Sequence, residues 1–212
     1  AGDLAEAFER SQSEARTAFG RSDVFIEQYL PHARHIEVQV LGDGTGAVIA
    51  LGERDCSIQR QHQKIVEIAP APNLHPAVQA RLHKAACDLA AAMQYKSLGT
   101  FEFLVDGDDQ GAETTIAFLE CNPRLQVEHT VTEAVTGLDL VQMQFQVATG
   151  KTLAAVLPGK TEAPAPQGYA VQARVNMEVM QPDGSARPAG GTLSAFDPPS
   201  GPGVRVDSHL YS

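Results

Sequence analysis

The chain has no tryptophan, only 6% aromatic residues and three cysteines. Cys56, Cys87 and Cys121 are an odd set without paired spacing, so neither a disulfide framework nor a zinc knuckle is supported, and a reducing compartment is the default. Positive charge is scarce too: 16 Lys and Arg stand against 26 Asp and Glu, for a net charge of -10. Nucleic acid and anionic membrane both reward net positive charge, so neither is an expected partner, and any polyanionic ligand must be met by a local basic site. No apolar run is long enough to span a bilayer, and Ala1-Gly2-Asp3-Leu4 offers neither the basic flank nor the apolar core of an export signal. The expectation is a soluble protein of the cytoplasm, or of the mitochondrial matrix if the source is eukaryotic. Its 212 residues can bury a sizeable core and suit more than one domain. The first residue is not methionine, and Leu210-Tyr211-Ser212 falls inside a patterned segment, so a piece of a longer protein is expected.

What is present reads as mixed α and β. Leu4, Ala7, Phe8, Ala15, Ala18 and Phe19 recur at helical spacing and predict a helix ending at Gly20. Val24 to Leu30 and His35 to Leu41 read as strands, the second setting Ile36, Val38 and Val40 against His35, Glu37 and Gln39. Asp43-Gly44-Thr45-Gly46 turns into a strand from Ala47 to Gly52, while Glu53 to Gln63 is too polar and irregular for either element. Lys64 to Ile68 resumes as a strand, and Pro76 to Met93 is an amphipathic helix with proline near its start. Phe101 to Val105 and Thr115 to Asn122 read as an antiparallel hairpin, and Asp139 caps a helix running to about Thr149. The Pro, Gly, Ala and Lys composition of 158–168 marks a linker, giving units at 1–157 and 169–212, the second opening with a strand from Tyr169 to Met177.

The densest chemistry lies in Glu120-Cys121-Asn122-Pro123-Arg124-Leu125-Gln126-Val127-Glu128-His129. On a strand Glu120 and Asn122 share a face, two hard oxygen donors suited to magnesium; across the hairpin Glu102 can join them. Arg124 offers a planar fork for a carboxylate-like or bicarbonate anion, and Glu128 a base or further anchor. Arg54 to Lys64 concentrates donors in an otherwise acidic chain, and an extended backbone would aim His62 and Lys64 alike toward phosphate or bicarbonate oxygens. Glu27-Gln28-Tyr29-Leu30, before a proline turn, leaves backbone groups free to read a planar base. A solvated loop remains the plain alternative for the Glu120-to-His129 and Arg54-to-Lys64 runs, and a surface ion pair the plain alternative for Arg205.

RHIEVQVLGDGTG, ERDCSIQRQHQK, GTFEFL and ECNPRLQVEHTVTE, in that order, resemble the biotin carboxylase family within the ATP-grasp enzymes, over almost the whole chain. The resemblance implies an α+β fold: an ATP-grasp lobe with an antiparallel sheet and flanking helices, then the start of a mainly β C-terminal subdomain. It implies an ATP-dependent ligase that carboxylates biotin with bicarbonate through carboxyphosphate. Glu27, Gln28, Tyr29 and Leu30 would contact adenine; His35, Gln59, His62 and Leu104 would line the nucleotide site. Glu102, Glu120 and Asn122 would hold Mg2+ or Mn2+. Lys64, Arg124, Gln126 and the backbone of Val127 would receive bicarbonate, Glu128 would deprotonate it, and Arg205 would face the biotin ureido oxygen. Implied partners are a biotin carboxyl carrier domain, a carboxyltransferase domain or subunit, and a second copy of the full domain. The family's ATP-binding lysines and N-terminal subdomain are not in this sequence, so this piece alone is expected to be inactive. The loop from Asp106 to Glu113 is longer and more acidic than in stand-alone members, and Pro198-Pro199-Ser200-Gly201-Pro202-Gly203-Val204-Arg205 is closer to large acyl-CoA carboxylases. Two alternatives stay open: another bicarbonate-activating ATP-grasp ligase of the carbamoyl phosphate synthetase kind, and a non-catalytic binding or assembly module.

Overall fold

The computed structural model describes residues 3–107, 111–160 and 162–209. The tip of the acidic loop and the segment Leu210-Tyr211-Ser212 therefore lie outside the described residues. A six-stranded antiparallel sheet dominates, built from β1 (Ala33–Asp43), β2 (Val48–Arg60), β3 (Gln63–Ala69), β4 (Lys96–Asp106), β5 (Ile116–Asn122) and β6 (Ala170–Ala173), in the order β5-β4-β1-β2-β3-β6. Among the described residues five helices accompany it: α1 (Leu4–Phe19), α2 (Pro76–Ala92), α3 (His129–Thr136), α4 (Leu140–Ala148) and α5 (Leu153–Val156). A separate pair, β7 (Glu178–Met180) and β8 (Ala186–Pro188), follows. No helix among the described residues is long and apolar enough to cross a membrane.

The alternation of β1 explains the layers. Ile36, Val38 and Val40 face α2, where Val78, Leu82, Ala86 and Ala90 meet them together with Phe101, Phe103 and Val105 of β4. Glu37 and Gln39 point the other way, yet both are fully buried, so the polar side of this strand is the floor of a site and not a solvent face. Farther along that side, Leu41, Ile49, Leu51 and Leu98 pack against Leu140, Met143 and Val147 of α4. The sheet is thus covered on both faces, one largely apolar apart from buried Glu53, which bonds to Gln79 and His83 of α2, and the other partly ionic.

Several expectations change. Val24 to Leu30 forms no strand: it has no ladder partner among the described residues, and Phe25, Ile26 and Tyr29 are exposed. Helix α1 forms and ends at Gly20 as its pattern demands, but none of its residues is buried. The polar run after Gly52 is not irregular; β2 continues to Arg60, and register shifts around Asp55, Ile58 and Gln59 hide its period. Gln61 and His62 then make the two-residue turn into β3, with φ of 50° and 63°. His62 is therefore a turn residue and not an extended one. Helix α3 is unforeseen, being a single short Thr- and Val-rich segment closed by Gly137 in the left-handed region. The strand opening the last segment, shorter than Tyr169 to Met177, joins β3 by pairing Ile68 with Val171, and so becomes the sixth strand of the sheet.

Candidate active site

A cavity of about 540 Å3 opens on the ionic side of the sheet, lined from β1 through β5, the loop entering α3, and the residue after β6. The hairpin of β4 and β5 sets Glu102 directly opposite Glu120. Asn122 Nδ2 donates to both, at 2.8 Å to Glu102 Oε1 and 3.0 Å to Glu120 Oε1. The three side chains converge as the hairpin geometry requires. Two facing carboxylates repel, and a single neutral amide now lies between them. With the amide turned to present its oxygen, they form a hard-oxygen donor set that suits Mg2+ or Mn2+.

Glu102 is the hub of this wall. It also accepts from His35 Nε2 at 2.6 Å, Lys64 Nζ at 2.8 Å and Gln126 Nε2 at 3.2 Å. Burial raises its pKa, but the His35 and Lys64 contacts outweigh burial and hold the carboxyl down to about 2. The other ring nitrogen of His35, Nδ1, lies 2.7 Å from Gln59 Nε2, and that amide also donates to the Cys56 carbonyl. With Nδ1 accepting, Nε2 carries the proton given to Glu102.

Lys64 spends all three of its ammonium protons on carboxylates: Glu37 Oε2 at 2.5 Å, Glu102 Oε1 at 2.8 Å and Glu128 Oε1 at 2.9 Å. Burial would lower its pKa, but the negative charge of Glu37 and Glu128 raises it well above the usual lysine range. Glu128 is itself buried and takes a second cation, Arg174, whose Nη2 lies 3.0 Å from Oε2. Burial pushes the Glu128 carboxyl up, and Lys64 with Arg54 more than reverses this, so it stays ionised. Arg174 is steadied from behind by Glu67, with its Nε 2.6 Å from Oε1.

Arg124 stands exposed at the rim, its Nη1 on the Leu125 carbonyl. Gln126 is buried, and its Oε1 is a buried side-chain acceptor with no donor among the described residues. Such an orphan acceptor is costly unless a ligand donates to it. His62, Leu104 and Val127 also line the cavity.

Two groups of expected residues are elsewhere. Glu27, Gln28, Tyr29 and Leu30 do not line the cavity, because their segment has no strand to hold it against the sheet. Arg205 is also outside it: its Nη1 lies 2.6 Å from Glu133 Oε2 and its Nε 2.9 Å from Asp207 Oδ2, with the side chain about half exposed. Besides Arg124, Arg174 also reaches the cavity, and sequence reasoning missed it along with the roles of Glu37, Glu67 and Arg54. The polar half of HIEVQV and the arginine closing the alternation of β6 were the available signals.

The match to known proteins agrees with this architecture. Residues 1–156 match the family described as carbamoyl-phosphate synthase L chain, ATP binding domain. A biotin carboxylase of Nostoc sp. is 43% identical over 99% of this chain and 44% of its own length. A pyruvate carboxylase of Aspergillus terreus is 45% identical over 97% of this chain and 16% of its own. The crystal structure of a biotin carboxylase–β,γ-ATP complex from Campylobacter jejuni superposes with a TM-score of 0.86 at 41% identity, covering 99% of this chain and 44% of that one. Pyruvate carboxylases and an acyl-coenzyme A carboxylase subunit both stand among the relatives. The chain spans less than half the length of these relatives. It belongs to the carbamoyl-phosphate synthase L chain ATP-binding domain family, an ATP-grasp fold, and within that family it is similar to biotin carboxylase domains.

Proposed function

We propose that this chain supplies the bicarbonate-activating part of a biotin-dependent carboxylase, which carboxylates biotin at the expense of ATP. The observation that carries this reading is one cavity with two chemically distinct walls. Glu102, Glu120 and Asn122 form the first, and Lys64, Arg124, Gln126, Glu128 and Arg174 the second. The first wall would hold magnesium, which when bound supplies charge to the phosphates of ATP.

The remaining work falls to side chains. Arg124 at the rim and the Val127 backbone meet the bicarbonate anion beside Gln126, with its hydroxyl turned toward Glu128. Glu128 takes that proton. Paired with Lys64 and Arg174 it is a weak base, so its strength depends on where those cations turn. When an incoming phosphate draws Lys64 away, Glu128 loses a cation and its basicity rises as the nucleophile arrives. Bicarbonate oxygen then bonds to the γ-phosphorus as the bond to ADP breaks, giving carboxyphosphate. Its breakdown yields carbon dioxide and phosphate; the phosphate removes the ureido proton of biotin, whose nitrogen bonds to the carbon. The oxyanion of deprotonated biotin needs a cation. Arg174, at the cavity and beside Glu128, is better placed for that role than Arg205.

Biotin would arrive on a carrier domain and leave to a carboxyltransferase domain or subunit, in a soluble enzyme of the cytoplasm that pairs with a second copy of the full domain. The Pro198-to-Arg205 wording favours an acyl-CoA acceptor. Adenine recognition by Glu27 to Leu30 requires that segment to be held by chain beyond these residues. The test is bicarbonate-dependent ATP cleavage by the full-length parent with and without free biotin. Stimulation by biotin with formation of carboxybiotin is expected; indifference to biotin overturns the reading in favour of another bicarbonate-activating ligase.

A further inference from the structure

A fully buried arginine on the ionic side of the sheet has no place in the chemistry above. Arg54 is 0% exposed and sits where β2 passes beneath the cavity. Its Nε lies 2.5 Å from Glu37 Oε1; its Nη1 donates to Gln39 Oε1 and to Thr132 Oγ1, each at 2.9 Å; its Nη2 reaches Thr100 Oγ1 at 3.3 Å. One guanidinium thus ties together β1, β4 and α3. Replacing a buried ion pair with apolar side chains is often neutral or stabilising, so stability alone gives little reason to bury a charge here. The direction of its donors gives a better one.

We infer that Arg54 is a positioning residue for bicarbonate activation, fixing Lys64 through Glu37 and Glu128 through Thr132. The inference rests on the function proposed above. Glu37 is divided between two cations, with Oε1 on Arg54 and Oε2 on Lys64, so the arginine sets the angle at which the carboxylate presents its second oxygen to the lysine. Thr132 lies one helical turn beyond Glu128, at the spacing that puts two side chains on one face. Its hydroxyl on Arg54 therefore sets the height and rotation of α3 over the sheet, and with them the position of the Glu128 carboxylate. Both reacting ends of the second wall hang from the same rigid fork. Lysine could not replace it, since an ammonium lacks the planar donors that reach four acceptors at once.

Substitutions at Arg54 itself risk unfolding, so Thr132 carries the test in the full-length parent. Thr132→Val removes the hydroxyl at nearly constant volume, Thr132→Ala leaves room for a water on the guanidinium, and Thr132→Ser restores the link. Steady-state bicarbonate-dependent ATP cleavage is measured per folded molecule. The Val and Ala variants are expected to lose about ten-fold in kcat with KM for ATP held within about two-fold, as a small misplacement of reacting groups does. Thr132→Ser should stay close to the parent. Unchanged kcat in a folded Val or Ala variant, or a Ser variant as impaired as Ala, overturns the inference, as does a loss wholly accounted for by the unfolded fraction. A parent that cleaves ATP without regard to bicarbonate overturns the proposed function instead, so the two failures are distinct.

Discussion

Lys64 Nζ lies 2.9 Å from Glu128 Oε1, so the cation assigned to phosphate and the carboxylate assigned to the bicarbonate proton neutralise one another before any ligand arrives. Each holds the other in its charged form, and in the proposed reaction each would have to be released. On the proposed function, that coupling would make phosphate binding the event that activates the base.

Glu128→Gln in the full-length parent should lower bicarbonate-dependent ATP cleavage and biotin carboxylation together, by at least about a hundred-fold. Gln keeps the shape and one acceptor oxygen for Lys64 or Arg174, so the fold should persist with some loss of stability, but it cannot take a proton. Parallel assays of phosphate release and carboxybiotin check this; retention of ATP cleavage with bicarbonate would move the base elsewhere.

Much of this arrangement was legible in the sequence because it depends on period and spacing. The hairpin followed from two alternating runs around a turn-rich loop, but Glu102 opposes Glu120 through a register shift beside Phe103 that the alternation does not announce. Leu82 and Ile36 likewise announced a helix on a sheet. Arg54 and Glu37 did not announce themselves, because a buried ion pair in sequence looks like the solvated face of a strand, and only tertiary pairing reveals the difference. Arg174 was missed for a related reason: its partner Glu67 is 107 residues away, and Arg205 offered a rival in a plausible context. Val24 to Leu30 has the composition of a strand, but composition supplies no partner.

Glu120→Gln should raise the magnesium concentration needed for half-maximal ATP cleavage by about ten-fold, because an amide offsets the ion's charge less well than a carboxylate. Glu120 is exposed and bonded only to Asn122 among the described residues, so its replacement should leave stability almost unchanged. A magnesium titration of the parent and variant, with a thermal melt of each, separates these effects. Coincident titrations would remove Glu120 from the metal site.

Glu102 should contribute to acid resistance. Its folded-state pKa is about 2 against an ordinary value of 4.5, so the ionised form is favoured by folding. A depressed carboxyl contributes stability that is complete above the unfolded value and is lost as pH falls through the folded one. The stability advantage of the parent over Glu102→Gln should therefore be constant near neutral pH and shrink between about pH 4.5 and pH 2. Denaturant titrations across that range measure it, and a difference independent of pH would show that Glu102 is not held ionised by His35 and Lys64.

The two arginines offer the sharpest contrast, because Arg174 reaches the cavity beside Glu128 while Arg205 is held outside it by Glu133 and Asp207. If Arg174 stabilises the oxyanion of deprotonated biotin, its loss should spare more of the ATP cleavage than of the carboxylation. Arg174→Ala is expected to reduce carboxybiotin by about a hundred-fold while ATP cleavage falls by about ten-fold or less, the smaller loss reflecting the cation removed from Glu128. Removing that cation also lets the Glu128 carboxyl rise, so the acid limb of ATP cleavage should move to higher pH in Arg174→Ala. Arg205→Ala breaks a half-exposed pair and should alter neither activity more than about two-fold. Phosphate and carboxybiotin measured on the same samples decide the matter: equal loss of both products in Arg174→Ala would make that arginine a support for Glu128 alone, and selective loss of carboxybiotin in Arg205→Ala would return the biotin role to Arg205.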